Sequence, residues 1–144
     1  MPITAFFEDT NSRNKIVHYS ASQRPSVTFA QGILEDLGAG MPRRGVETFL
    51  VTLKPLSTSG ENFIVHTGLE TVFCLEGQLT YVIDDQAFLL EPGDSIFFEA
   101  HLPHRWENIG SKPARLLLVL CPSDDQDRPT ERHFAPETTL FEGK

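Results

Sequence analysis

Cations are scarce in this chain: 12 Lys plus Arg stand against 20 Asp plus Glu in 144 residues, a formal net charge of −8 with the histidines neutral. Without clustered Lys and Arg to neutralise phosphates, direct binding of nucleic acid is not expected. Long apolar runs are lacking too. The longest, Leu116 to Cys121, falls far short of the roughly 20 residues a spanning helix needs, so no membrane segment is expected. Cysteine is limited to Cys74 and Cys121, which excludes a disulfide scaffold and fits reduced thiols in the cytoplasm. The opening Met1-Pro2-Ile3-Thr4 shows no basic stretch followed by an apolar one, so no secretory signal is expected. Gly-rich phosphate loops, a Gly-x-Ser-x-Gly elbow and a His-Glu-x-x-His helix are all missing, and with them the reactions those motifs serve.

What is abundant is turn and strand chemistry. Eleven Phe, ten Gly and ten Pro predict many short strands punctuated by turns. A chain of this length suits one domain burying roughly 68–70% of its unfolded surface. Residues 1–45 read as an N-terminal arm with short strands at Ile16 to Tyr19 and Val27 to Leu34, and one helical candidate around Leu34 to Leu37. Residues 46–121 carry strands at Val46 to Leu53, Asn62 to His66, Glu70 to Glu76, Leu79 to Ile83, Ala87 to Leu90, Ser95 to Phe98, His104 to Asn108 and Ala114 to Cys121. Strands at that spacing predict an all-β closed barrel or jelly roll. Asp84-Asp85 and Pro92-Gly93-Asp94 are turn signals. Residues 122–144, with Phe134 and Phe141 as their main apolar content, read as an extended or partly disordered tail.

Three side chains stand out by spacing: His66, Glu70 and His104. His66 ends one strand, Thr67-Gly68-Leu69 makes a bend, and Glu70 opens the next, so both can point into one cavity that His104 enters from a later strand. Two imidazoles and a carboxylate suit a divalent first-row metal (Zn, Fe, Mn or Ni) with positions left open. The alternative is a metal-free, hydrogen-bonded cluster, in which a buried Glu70 requires a protonated histidine beside it.

These residues resemble the signature of the cupins. The family's first motif, G-x5-H-x-H-x3-E-x6-G, is matched by His66, Glu70 and Gly77; the second, G-x5-P-x-G-x2-H-x3-N, by Gly93, His104 and Asn108. The resemblance implies a double-stranded β-helix, a jelly-roll barrel, and a homodimer. It is incomplete: Ile64 stands where the motif has its first ligand histidine, Thr58 and His101 replace glycines, and Glu99 replaces a proline. His101 reads as a rim residue, His18 and His133 lie in the arms without ligand spacing, and Asp124, Asp125 and Asp127 read as a solvated acidic run rather than a calcium loop.

Strand parity extends the pocket. Asn62 and Ile64 share a face with His66, Val72 and Cys74 with Glu70, and Trp106 and Asn108 with His104. The pocket so lined is mostly apolar with a few convergent polar groups, as small-molecule sites are. Cys74 there reads as packing rather than as a ligand. Phe63, Val65, Phe73 and Leu75 then face outward and mark an interface between two copies.

Two functions remain. The stretches Glu47 to Leu53, Leu102 to Asn108 and Pro113 to Arg115 resemble the effector-binding cupin domains of bacterial helix-turn-helix regulators. Residues 1–45 show no pair of amphipathic helices, so the expectation is a small-molecule sensor without its own DNA-binding domain. The other is a metal-dependent cupin enzyme, a dioxygenase, isomerase or decarboxylase, acting on a small organic acid or sugar derivative. A metal held by His66, Glu70 and His104 leaves the site near +1 and favours an anionic or chelating partner.

Overall fold

The computed structural model describes residues 15–42, 45–123 and 129–134. Strict alternation of burial builds its walls. In Ala114–Cys121 every second residue, Ala114, Leu116, Leu118 and Leu120, is buried, each leucine contributing roughly 1.5–3 kcal/mol by leaving water. The strands in chain order are β1 (Ser26–Phe29), β2 (Gly32–Asp36), β3 (Glu47–Leu53), β4 (Ser57–Thr58), β5 (Leu69–Glu76), β6 (Leu79–Ile83), β7 (Gln86–Leu90), β8 (Ser95–Glu99), β9 (His104–Asn108) and β10 (Ala114–Cys121), followed by a short helix, α1 (Pro129–His133). They form a six-stranded sheet, β1-β2-β3-β10-β5-β8, and a four-stranded sheet, β4-β9-β6-β7. Every pair is antiparallel. The two inner faces enclose the core, giving the double-stranded β-helix that the motifs imply.

Turns hold the register. Asp84 and Asp85 have φ of 48° and 70°, the left-handed pair that matches the twist of a two-residue hairpin, and it joins β6 to β7. Asp94 N donates to Glu91 O (2.8 Å), and Glu91 N donates back to Asp94 Oδ2 (2.9 Å), closing the turn before β8 around Gly93.

Several sequence expectations need correction. Ile16 to Tyr19 is not a strand, and Ile16 is largely exposed. Val27 to Leu34 is not one strand but a hairpin, β1 and β2, turning at Ala30-Gln31. Around Leu34 to Leu37 there is no helix, because Leu34 and its neighbours pair with β3. Asn62 to His66 reduces to an isolated bridge between Ile64 and His104. The tail is not wholly extended: α1 docks on the barrel, with Pro129, Thr130, His133 and Phe134 buried. Asp124, Asp125, Asp127 and Phe141 lie outside the described residues.

Candidate metal centre

Each functional side chain is placed by a local device. The bridge at Ile64 (Ile64 N to His104 O, 2.6 Å) and the bond from His66 N to Ala100 O (3.1 Å) pin the segment carrying His66. Gly68 then bends the chain at φ 78°, where a Cβ would overlap the Cys121 carbonyl, so only glycine fits. Two residues on, Glu70 enters β5 on its buried parity with Val72 and Cys74. His104 opens β9 on the same face as Trp106.

The fourth member is His133, at the end of α1. Thr130 Oγ1 donates to Glu47 Oε1 (2.8 Å), tying the helix to β3. Phe134 packs on Phe29 at 4.8 Å and on Trp106 at 6.2 Å between ring centroids. This corrects the reading of His133 as an arm residue without ligand spacing. Spacing could not reveal it, since 63 positions separate it from Glu70. The available signals were the gap at Ile64 and the pairing of His133 with an apolar neighbour, Phe134, in an otherwise polar tail.

Glu70 Oε1 lies 3.1 Å from His66 Nε2, 2.9 Å from His133 Nε2 and 3.2 Å from His104 Nε2, all fully buried. The opposite nitrogens are committed: His66 Nδ1 contacts Thr67 O (3.1 Å), His104 Nδ1 Leu102 O (2.7 Å) and His133 Nδ1 Pro129 O (2.8 Å). A carbonyl only accepts, so each Nδ1 carries the proton. In the neutral rings each Nε2 therefore presents a lone pair toward a carboxylate oxygen that also only accepts. His104 Nε2 is off the hydrogen-bonding direction and is left buried without a partner. The frustration is resolved by protons on the imidazoles or by one cation among them.

The residues fit a metal. Donor atoms held ~2.0–2.2 Å from one first-row ion stand roughly 3 Å apart, close to the separations around Glu70 Oε1. The four donor atoms lie within 4.8 Å of one another. Imidazoles fixed through Nδ1 by carbonyls, and a carboxylate fixed through its other oxygen, are the outer support such sites use. That second oxygen, Glu70 Oε2, accepts from the Tyr81 hydroxyl at 2.7 Å. His66, Glu70, His104 and His133 could thus hold a metal ion.

Burial pushes the Glu70 carboxyl up, but with protons on the imidazoles the His133 charge and the close contacts of His104, His133 and His66 outweigh it and hold the group well below the usual carboxylate range. Burial, with the Glu70 charge and hydrogen bond adding to it, pushes the Tyr81 hydroxyl well above its ordinary value, so it stays a donor.

The remaining expected pocket residues divide. Ile64, Val72, Cys74 and Trp106 are buried. Asn62 is exposed, a correction, because it sits in a bend where strand parity does not apply. Asn108 is buried, but its Nδ2 serves the carbonyls of Leu53, Lys54 and Lys112 and its Oδ1 accepts from Gly110 N; it clasps loops rather than offering polar atoms to a ligand. Cys74 directs Sγ toward the carbonyls of Glu76 and Gly77, and burial raises its thiol pKa, with Asp94 adding to it. His101 pairs with Glu99 on the surface.

The family model for the cupin domain matches residues 49–120. The chain belongs to the cupin family. It is 28% identical over 109 residues to the HTH-type transcriptional regulator PuuR of Escherichia coli, covering 69% of this chain and 58% of that protein. Among solved structures it resembles a sugar phosphate isomerase of the cupin superfamily from Silicibacter pomeroyi, with a TM-score of 0.64, 21% identity and coverage of 74% of this chain and 76% of that one. It also resembles the hydroxypropylphosphonic acid epoxidase of S. wedmorenis, with a TM-score of 0.60, 22% identity and coverage of 76% and 61%.

Proposed function

We propose that this cupin holds a first-row divalent metal through His66, Glu70, His104 and His133 and uses it to bind a small anionic or chelating molecule, as a ligand-sensing module. The observation that carries the reading is the convergence of Nε2 lone pairs and a carboxylate oxygen, with every Nδ1 proton already committed to a carbonyl. Neutral imidazoles and one carboxylate around a divalent ion leave about +1 in a dry interior, which attracts an anionic donor. When bound, the metal supplies Lewis acidity to that donor. The chain's own contribution is positional: Tyr81 fixes the Glu70 carboxylate, the Thr67, Leu102 and Pro129 carbonyls fix the rings, and the Trp106 indole N–H, buried without an acceptor, is a donor available inside the barrel.

A sensing role is favoured over catalysis because, among the described residues, the buried titratable groups around the centre are its four donors and Tyr81, which keeps its proton. Among the described residues, that leaves no separate buried acid or base beside the centre for proton transfer. An enzyme of the isomerase or oxygenase kind is the second reading, supported by the likeness to the isomerase and the epoxidase above. Residues 26–36 form a hairpin, so the described N-terminal part offers no helix for a DNA groove. No helix among the described residues is long and apolar enough to cross a membrane, and we place the protein in the cytoplasm.

A homodimer is part of this reading. Phe73, Leu75 and Phe97 on the outer face of the six-stranded sheet are 37% to 66% exposed, and Phe63 and Val65, on the segment that bridges β9, are exposed too. Leu50, Leu117 and Phe73 run side by side across β3, β10 and β5. A monomer at micromolar concentration in light scattering would overturn it.

Elemental analysis tests the main proposal. Protein purified without chelator is expected to carry stoichiometric metal that His104→Ala loses. Lack of metal, together with no uptake on titration with Zn(II), Fe(II), Mn(II) or Ni(II), would overturn it.

A further inference from the structure

A segment remote in sequence from the strands packs directly on the metal centre. His133 and Phe134 are both buried, the first on Glu70 and the second against Phe29 and Trp106. We propose that Pro129–Phe134 is a metal-dependent plug: His133 completes the metal's ligand set, Phe134 fills the slot beside Trp106, and a small molecule reaches the centre by displacing both. The proposal rests on the metal reading above and adds a conditional element to it.

The contacts divide unequally between barrel and plug. His66, Glu70 and His104 are set by the bridge, β5 and β9, so their positions do not depend on α1. The plug is a five-residue helix, far below the length at which a helix is stable alone. It is held on the barrel by the Phe134 ring contacts, the Thr130 to Glu47 bond and the His133 contacts, among others. Of these, the His133 contact is the one a metal would strengthen. Without a metal, His133 is held at the centre by its 2.9 Å contact with Glu70; with one, its Nε2 is bonded to the ion as well.

The plug also describes its competitor. A displacing molecule offers a donor atom in place of the imidazole and an apolar or aromatic body in place of the phenyl ring, while an acceptor on it can take up the Trp106 N–H. Coupling between metal and plug is reciprocal: the factor by which His133 tightens the metal equals the factor by which the metal favours the docked plug.

Trypsin and fluorescence read this on the full chain. The bond after Arg132 lies inside α1, so cutting it requires the plug to open, and the rate follows the open population when opening is fast. Trp106 is the sole tryptophan and contacts Phe134, so its emission reports docking. Saturating Zn(II), verified as bound by elemental analysis, is expected to slow the cut by about tenfold or more and to shift Trp106 emission. His133→Ala, or the milder His133→Gln, is expected to bind Zn(II) more weakly by the same factor and to show no effect of Zn(II) on tail release. In the zinc-loaded wild type, 4-phenylimidazole, which carries both displaced groups, is expected to restore fast cutting. Zn(II) bound stoichiometrically with cleavage and emission unchanged overturns the plug while leaving the metal reading intact, and failure of 4-phenylimidazole to speed cutting overturns displacement. Absence of Zn(II) binding in the wild type overturns the metal reading and the plug with it.

Discussion

Replacing Tyr81 by Phe deletes one buried oxygen and leaves the ring against Phe98, whose centroid is 5.9 Å away, so little cavity is made. What is lost is the 2.7 Å bond to Glu70 Oε2. Both partners are buried, so water does not replace the hydroxyl, and the carboxylate keeps an unsatisfied oxygen. A hydrogen bond to a charged group contributes about 1.5–3 kcal/mol. For a chain of 144 residues, a loss of that size lowers Tm by roughly 5–10 °C. The assay is calorimetry with chelator present, where Glu70 is balanced only by the histidines. With metal bound, part of the Glu70 charge is carried by the ion, and the main effect moves to affinity, a weakening of about 10–100-fold as for other outer-shell supports. A metal-free Tm within about 1 °C of wild type, together with unchanged metal affinity, would refute the claim that a dry Tyr81 hydroxyl orients the ligating carboxylate.

Two further predictions follow from the same cluster. Glu70 titrates well below the usual carboxylate range in the folded chain, so its contribution to the metal-free protein is fully present above about pH 4.3 and is lost as pH falls through the depressed value. Tyr81, raised well above its ordinary value, contributes fully below about pH 10 and loses that contribution at higher pH. These two groups should therefore lower the Tm of metal-free protein on the acid side and at high pH, and bound metal should raise the Tm but steepen the acid side, where protons compete for the imidazoles; a Tm that rises on acidification below about pH 4 would count against it. Separately, Ile64→His in a His133→Ala background should recover metal affinity by about tenfold or more, measured by chelator competition, whereas the same change in the wild type should gain less because His133 already fills the place. No recovery would mean that a side chain at position 64 does not reach the centre.

Most of the barrel was legible because its strands obey parity: β6, β9 and β10 run as read, and β5, β7 and β8 differ by a residue at an end. The same rule placed His66, Glu70 and His104 on one interior. Parity failed where the ladder does. At Asn62 the backbone bends before the single bridge at Ile64, so counting by twos toward His66 put an exposed residue inside. Asn108 has the right parity but stands at the end of β9, where loop carbonyls rather than a cavity meet it. The hairpin of β1 and β2 was read as one strand because Ala30 and Gln31 carry no strong turn residue, and the pairing of β2 with β3 supplies what local preference does not. His133 was beyond local reasoning altogether, since its role depends on where a distant segment docks.

On the proposed metal reading, Ile64 in place of the family's ligand histidine, with His133 as the fourth donor, changes what the site can do. A histidine at position 64 would be carried by the bridge to His104, held by backbone bonds at 2.6 and 3.0 Å, and would stay in place whether or not metal or ligand were present. Isoleucine there seals the wall instead, being almost fully buried. The fourth donor is moved to a segment whose sequence path to the barrel runs from Cys121 to His133. A donor on a five-residue helix outside both sheets can leave the centre without breaking a strand ladder, as a donor fixed on the wall cannot. A molecule that binds the three-ligand centre would on this reading displace His133 more readily than a strand-borne ligand. On the proposed reading, this departure from the family motif is what would make the centre responsive: three donors would keep the metal, and the fourth would yield to the incoming molecule.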